Sequence, residues 1–202
     1  MPPPSDRVRL PYGACFTELS VERIAAEAGL SRSTFYLYFR DKTELILRLA
    51  ESLKAGTFEA GEDWDPDRPE DGLAWLTDAY HRIVRGDRAR SATLAAILEV
   101  AGYDRAVRAM LEANQRRFME RMAARLADEQ RAGRAGGGMD PLLAASLMIW
   151  GGEQAIATYV INTVADEERD ARMAHELAAS HWNGIYRRPA GTAPSPAADP
   201  AR

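Results

Sequence analysis

A single cysteine, Cys15, stands among 202 residues, so no internal disulfide can form and the thiol reads as a reduced one of the cytoplasm. Histidine is nearly as scarce. His81, His175 and His181 share no metal-ligand spacing with Cys15, and neither H-E-x-x-H nor G-x-S-x-G occurs. The glycines around Gly133 and Gly136–Gly138 follow no strand and precede no Gly-Lys-Ser/Thr, so they are not a phosphate loop. An enzyme is therefore not expected, and neither a metal nor a cofactor. No apolar h-region follows the N-terminus, and the most apolar stretch, Leu142–Ile161, is interrupted by Glu153 and Gln154. That stretch reads as a buried core or dimer helix rather than a membrane span, and a cytoplasmic protein without a membrane partner is expected. Alternating apolar patterns and internal repeats are lacking as well, which argues against sheets and solenoids.

What remains is a chain that is 46% hydrophobic, with long runs rich in Ala, Leu, Arg and Glu. Such a chain can bury a core, and its composition points to an all-α fold. The net charge of -4 excludes a general polyanion binder. The balance is uneven: residues 1–54 hold eight basic and seven acidic residues, so any nucleic-acid contact must be local and near the N-terminus.

Caps and apolar periods place the helices. Ser20 caps a helix with Val21, Ile24, Ala25 and Ala28 on one face, and Gly29 stops it. Ser31 opens a short helix to Tyr38, and Asp41–Glu44 resembles a capping box at the head of a third, running toward Gly56. Further helices are expected over about 71–85, with Gly86 separating it from 88–100, then 104–131, 140–164 and 167–187. The 104–131 helix carries Val107, Leu111, Phe118, Met122 and Leu126 on one stripe, and Asp140-Pro141 is an N-cap with proline at the first helical position. The 140–164 helix is apolar nearly all round, so both faces should be buried. Residues 189–202 are low in complexity and are expected to be disordered.

Helix, glycine turn and short helix over residues 20–38 make a helix-turn-helix. The second helix starts Ser31-Arg32-Ser33-Thr34, small or basic at the end that can enter a major groove, where free N–H groups also favour phosphate. Phe35 and Phe39, four apart, can anchor its inner face, while Tyr36 and Tyr38 leave from other faces and can reach the backbone of DNA. Lys42 lies in the first turn of the next helix, where a cation opposes the dipole, so a phosphate partner would explain it.

The run SVERIAAEAGLSRSTFYLYFRDKTELI resembles the signature of TetR-family repressors, and fills almost every defining position. STFYLYF and HWNGIY further resemble the EthR-like subgroup. The resemblance implies an N-terminal helix-turn-helix DNA-binding domain over 1–54 and a larger helical effector-binding and dimerisation domain over 55–188. Ser31, Arg32, Ser33 and Thr34 would face base edges or phosphates, Tyr36, Tyr38 and Lys42 the DNA backbone, and Leu37 would lie near the groove. The partners implied are double-stranded operator DNA, a small-molecule effector, and a second copy joined through the last two long helices. Two recognition helices about 34–36 Å apart would then read a palindrome, and the effector would release the repressor from it.

The chain departs from the family at its start. The first helix that completes the three-helix core should fall within residues 1–15, where four prolines stand instead. Ile24, Phe35 and Phe39 are then expected to lose cover, at about 1.5–3 kcal/mol for each large side chain. Either the start is mis-assigned or frameshifted, or the protein is a variant with impaired DNA binding, a dimeric ligand-binding protein only. In the second domain, Trp75, Tyr80, Phe118, Met122, Trp150, Tyr159 and Trp182 are candidate lining residues of an effector pocket. Asn114, Glu153 and Gln154 are its polar handles. Glu153 inside an apolar helix needs a partner, an arginine of the second copy or the ligand itself.

Overall fold

The computed structural model describes residues 15–59, 72–136 and 138–186, and these residues contain helices and no strand. A 3₁₀ turn, Phe16–Glu18, leads into α1 (Val21–Glu27), α2 (Arg32–Tyr38) and α3 (Lys42–Glu59). Then come α4 (Gly72–Ala89), α5 (Ser91–Tyr103), α6 (Arg105–Arg131), α7 (Pro141–Asn162) and α8 (Glu167–His181), the last continued by a π-helical turn, Trp182–Tyr186. The architecture is all-α, a small N-terminal helix-turn-helix unit followed by a larger helical one. The expected disorder of 189–202 and the nature of residues 1–14 lie outside the described residues.

Local chemistry sets the boundaries. The Ser20 hydroxyl accepts the Arg23 N–H at 3.2 Å and opens α1. At the other end Gly29 takes φ +67°, which a side chain would resist. Its N–H bonds Ala26 O, and the Leu30 N–H bonds Ala25 O at 2.8 Å, the paired closure of a Schellman motif. Asp41 accepts the Glu44 N–H, and Glu44 reaches back to the Arg40 N–H rather than to that of Asp41, a capping box stretched by one residue. Asp104 and Asp140 cap α6 and α7, with Pro141 at the first turn.

One boundary differs from the sequence reading. Gly86 lies inside α4, and the break comes at Arg90. A glycine within a helix costs only about 1 kcal/mol, which the tertiary contacts of α4 outweigh. Arg88 is the centre of those contacts. Its guanidinium donates to Asp170 at 2.7 Å and 3.1 Å and to the carbonyls of Val160 and Thr163 at 2.8 Å and 2.7 Å. It thereby ties α4 to the end of α7 and the start of α8.

α6 packs along α7, and α4 packs along α8, while α5 fills the space between α3, α6 and α7. Gly152 permits the close approach of α7 to α4: a β-carbon there would lie 3.3 Å from the Tyr80 hydroxyl. Among the described residues none covers one face of α7, where Leu143, Leu147 and Trp150 are each more than half exposed. The expectation that both faces are buried is therefore not met by this chain alone. Among the described residues no helix is long and apolar enough to cross a membrane.

Candidate functional site

The N-terminal unit is a rigid mount for α2. Phe35 and Phe39 are each 1% exposed, with ring centroids 5.2 Å apart, and they share one apolar cluster with Ile24, Leu45 and Ile46. The expected loss of cover over Ile24, Phe35 and Phe39 does not occur. Phe16 and Leu19, placed by the 3₁₀ turn, belong to the same cluster and are themselves buried.

From this mount α2 offers its outer face. The Ser31 hydroxyl accepts the Thr34 N–H at 3.0 Å and lies 2.8 Å from the hydroxyls of Ser33 and Thr34. Arg32, Ser33, Tyr36 and Leu37 are exposed, Leu37 to 82%, whereas Thr34 and Tyr38 are half-buried. Arg32 pairs with Glu22 of α1 at 2.5 Å and lies over the Tyr36 ring at 5.7 Å. Both ends of that ion pair are well exposed, so it is worth less than about 1 kcal/mol and does not lock the arginine.

Lys42 has partners within the chain. Its ammonium donates to the carbonyls of Phe16, Thr17 and Leu19 at 3.2, 3.2 and 2.8 Å and lies 5.2 Å from the Phe16 ring centre. These carbonyls offset the unfavourable position at a helix start, so a phosphate is not needed to explain a cation there. The other end of the same turn is held by Glu99 of α5. Its carboxylate accepts the N–H groups of Phe16 at 2.7 Å and Thr17 at 3.1 Å, the Thr17 hydroxyl at 3.1 Å and the Cys15 thiol at 2.9 Å. Burial opposes ionisation of Glu99, yet these donors outweigh it and hold the carboxyl below its ordinary range. Lys42 and Glu99 thus strap the turn between α3 and α5. Nothing in the linear sequence marks Glu99, which lies 82 residues from its nearest backbone partner.

In the larger unit a cavity of about 320 Å³ opens among α4, α5, α6 and α7, within the usual range of small-molecule sites. Trp75, Tyr80, Phe118, Met122, Trp150, Glu153 and Gln154 line it. Asn114, Tyr159 and Trp182 lie outside that lining. Asn114 is buried and accepts a hydrogen bond from Arg117. Tyr159 lies beneath the Arg88 guanidinium at 5.0 Å. Trp182 borders a recess of about 30 Å³ with Trp75, Met122 and Arg125. The sequence reading missed Asp87, Gln115 and the α5 residues Leu94, Ile97 and Leu98, all in the wall. The Tyr80 hydroxyl lies 2.6 Å from Nδ1 of His181, whose pKa burial lowers. Glu153 accepts the Gln115 amide at 2.7 Å, so a partner within the chain meets part of its need. Among the described residues no cluster of metal-ligating side chains occurs.

Comparison with known proteins bears on both units. Residues 16–49 match the model of bacterial regulatory proteins of the tetR family. No curated protein matches the chain. Among solved structures, a transcriptional regulator from Rhodococcus sp. Rha1 is 18% identical, with 84% of this chain and 88% of that one covered and a TM-score of 0.60. SmeT, in complex with triclosan, is 20% identical over 91% of each chain, with a TM-score of 0.60. NalD, the secondary repressor of the MexAB-OprM multidrug efflux pump in Pseudomonas aeruginosa, is 18% identical over 87% of this chain and 90% of that one, with a TM-score of 0.56. The EthR-like likeness gains no support from these matches. Residues 16–49 thus match the N-terminal module of the bacterial regulatory proteins of the tetR family, and the chain shares its fold with these solved structures.

Proposed function

We propose that the protein is a dimeric transcriptional repressor that binds a palindromic operator through α2 and leaves it when a small hydrophobic or amphipathic ligand fills the α4–α7 cavity. The observation that carries this reading is α2 itself. A seven-residue helix is anchored by two buried phenylalanines and presents Arg32, Ser33, Tyr36 and Leu37 outward beside an exposed N-terminal turn capped by Ser31. Ser31 and Thr34 contribute at that turn, Ser31 also as the cap. Tyr38 is half-buried, and Lys42 acts first as a latch on the Phe16–Glu18 turn. Phosphate contacts would fix the register, and side chains at base edges would supply specificity.

Dimerisation is supported by the exposed apolar residues of α7, Leu143, Leu147 and Trp150, spaced to form one stripe. Pairing of α7 and α8 with their copies would cover it. The cavity supports the effector, and two relatives of the fold carry matching descriptions, one in complex with triclosan and one a repressor. Release would be a population shift. Leu94, Ile97 and Leu98 touch the cavity, and the neighbouring Glu99 holds the turn that seats the DNA-binding unit. A ligand that moves α5 then moves the recognition helices out of register. The buried cluster under α2 supports this reading over that of a ligand-binding dimer with impaired DNA binding.

Nuclease footprinting on the DNA upstream of the protein's own coding sequence tests the proposal. Two protected half-sites related by a dyad, about one helical turn apart, are expected. Absence of protection there and across neighbouring promoters would contradict it.

A further inference from the structure

We infer that a second copy closes the cavity, so that the ligand binds at the subunit boundary and favours the dimer over the single chain. This rests on the readings of the cavity as the effector site and of α7 as the dimer face. Among the described residues that line the cavity, Leu98, Trp150 and Gln154 are the exposed ones. They mark its rim, where α5 and α7 border it. Trp150 and Gln154 also continue the stripe of Leu143 and Leu147, because steps of three and four residues keep all of them on one side of the helix. The same turns of α7 thus serve two surfaces, and whatever seats on the stripe reaches the rim.

The chemistry of the stripe selects a second copy as that occupant. Glu153 is the one charged residue of α7, and it accepts the Gln115 amide of α6. A two-fold interface sets a patch against itself, so a charge on it would meet its like near the axis. The stripe carries none and offers Leu143, Leu147 and Trp150, each more than half exposed. A nucleic acid or a strongly charged protein would find no opposite charge there. A cavity with a wet rim leaves part of an apolar ligand in water, whereas small-molecule sites bury about 70–90% of a ligand's surface. The partner's helices, seated on the stripe, cover that part. The coupling is reciprocal: a dimer that tightens the ligand is itself tightened by it. A ligand that touches both protomers also bears on their relative placement, and so on the spacing of the two α2 helices.

The probe is N-phenyl-1-naphthylamine, a neutral apolar dye that brightens on leaving water. It is titrated into the full chain at protein concentrations above and below dimer dissociation, as set by analytical ultracentrifugation. The dimer is expected to bind it at least about tenfold more tightly than the single chain, and saturating dye should lower the dimer dissociation constant by a similar factor. Leu147→Glu, on the stripe but outside the cavity lining, should be monomeric and show the weaker affinity with its helix content by circular dichroism retained. The dilution series uses the wild-type chain alone, so it decides even where the variant misfolds. Equal affinity of dimer and single chain overturns the inference and leaves both the dimer and an effector cavity complete in each protomer standing. A folded Leu147→Glu that stays dimeric overturns it by placing the interface elsewhere. No dye bound at any concentration refutes the effector reading and this inference with it.

Discussion

Replacing Glu99 by glutamine removes the charge that holds the N-terminal turn to α5 while keeping the shape of the side chain. Four donors converge on that carboxylate. Those on Cys15 and Thr17 are exposed, so water replaces much of what they lose. The Phe16 N–H, at 2.7 Å, is part-buried and lacks that recourse. A hydrogen bond to a charged group contributes about 1.5–3 kcal/mol, so Glu99→Gln should destabilise the protein by about 1.5–3 kcal/mol at pH 7. The pH dependence gives the sharper test. The folded carboxyl lies below its ordinary value of 4.5, so its contribution is complete above that value. It fades as the pH falls through the depressed folded value. Urea unfolding of wild type and Glu99→Gln from pH 7 down to pH 3 should therefore show a gap that narrows below the ordinary value of 4.5. A gap under about 0.5 kcal/mol at pH 7, the usual range for a surface substitution, or one that does not change with pH, would refute the strap.

Lys42→Met should lower stability by about 1–2 kcal/mol, since the carbonyls of Phe16, Thr17 and Leu19 lose their donor. It should also leave the salt slope of DNA binding unchanged, as measured by titration at several salt concentrations; a slope lower by about 1 would make Lys42 a phosphate contact instead. Asp170→Ala leaves Arg88 buried without its carboxylate and is expected to cost about 3–5 kcal/mol in thermal or urea unfolding. Leu147→Glu places a charge on the uncovered face of α7 and should shift sedimentation from dimer to monomer with little loss of helix by circular dichroism. An unchanged sedimentation coefficient would move the interface elsewhere.

The helix-turn-helix was legible because its signals are local. Ser20, Gly29 and Ser31 fix ends within a few residues, and Phe35 and Phe39 sit one turn apart on the buried face. Gly86 misled for the opposite reason: helix propensity there is a local preference, and the Arg88 contacts that overrule it reach residues 72 to 82 positions away. The cavity was half legible. Large aromatics on α4, α6 and α7 announced themselves by type, whereas Asp87 and Gln115 look like ordinary surface residues until the helices are assembled. Tyr159 and Trp182 have the right chemistry but sit beside Arg88 and in a separate recess. Lys42 shows the limit of arguing from the dipole alone, since three carbonyls from another segment answer it as well as a phosphate would.

The most direct test of the account is fluorescence anisotropy of the purified protein on its upstream DNA, against scrambled duplex, over a salt series, with the Arg32→Ala/Tyr36→Phe double variant alongside. Tighter binding to the upstream duplex than to the scrambled one is expected. The double variant should lose that preference with its thermal stability unchanged. Equal binding to both duplexes by the wild type, or a preference that survives in the double variant, would contradict the claim that α2 reads the operator.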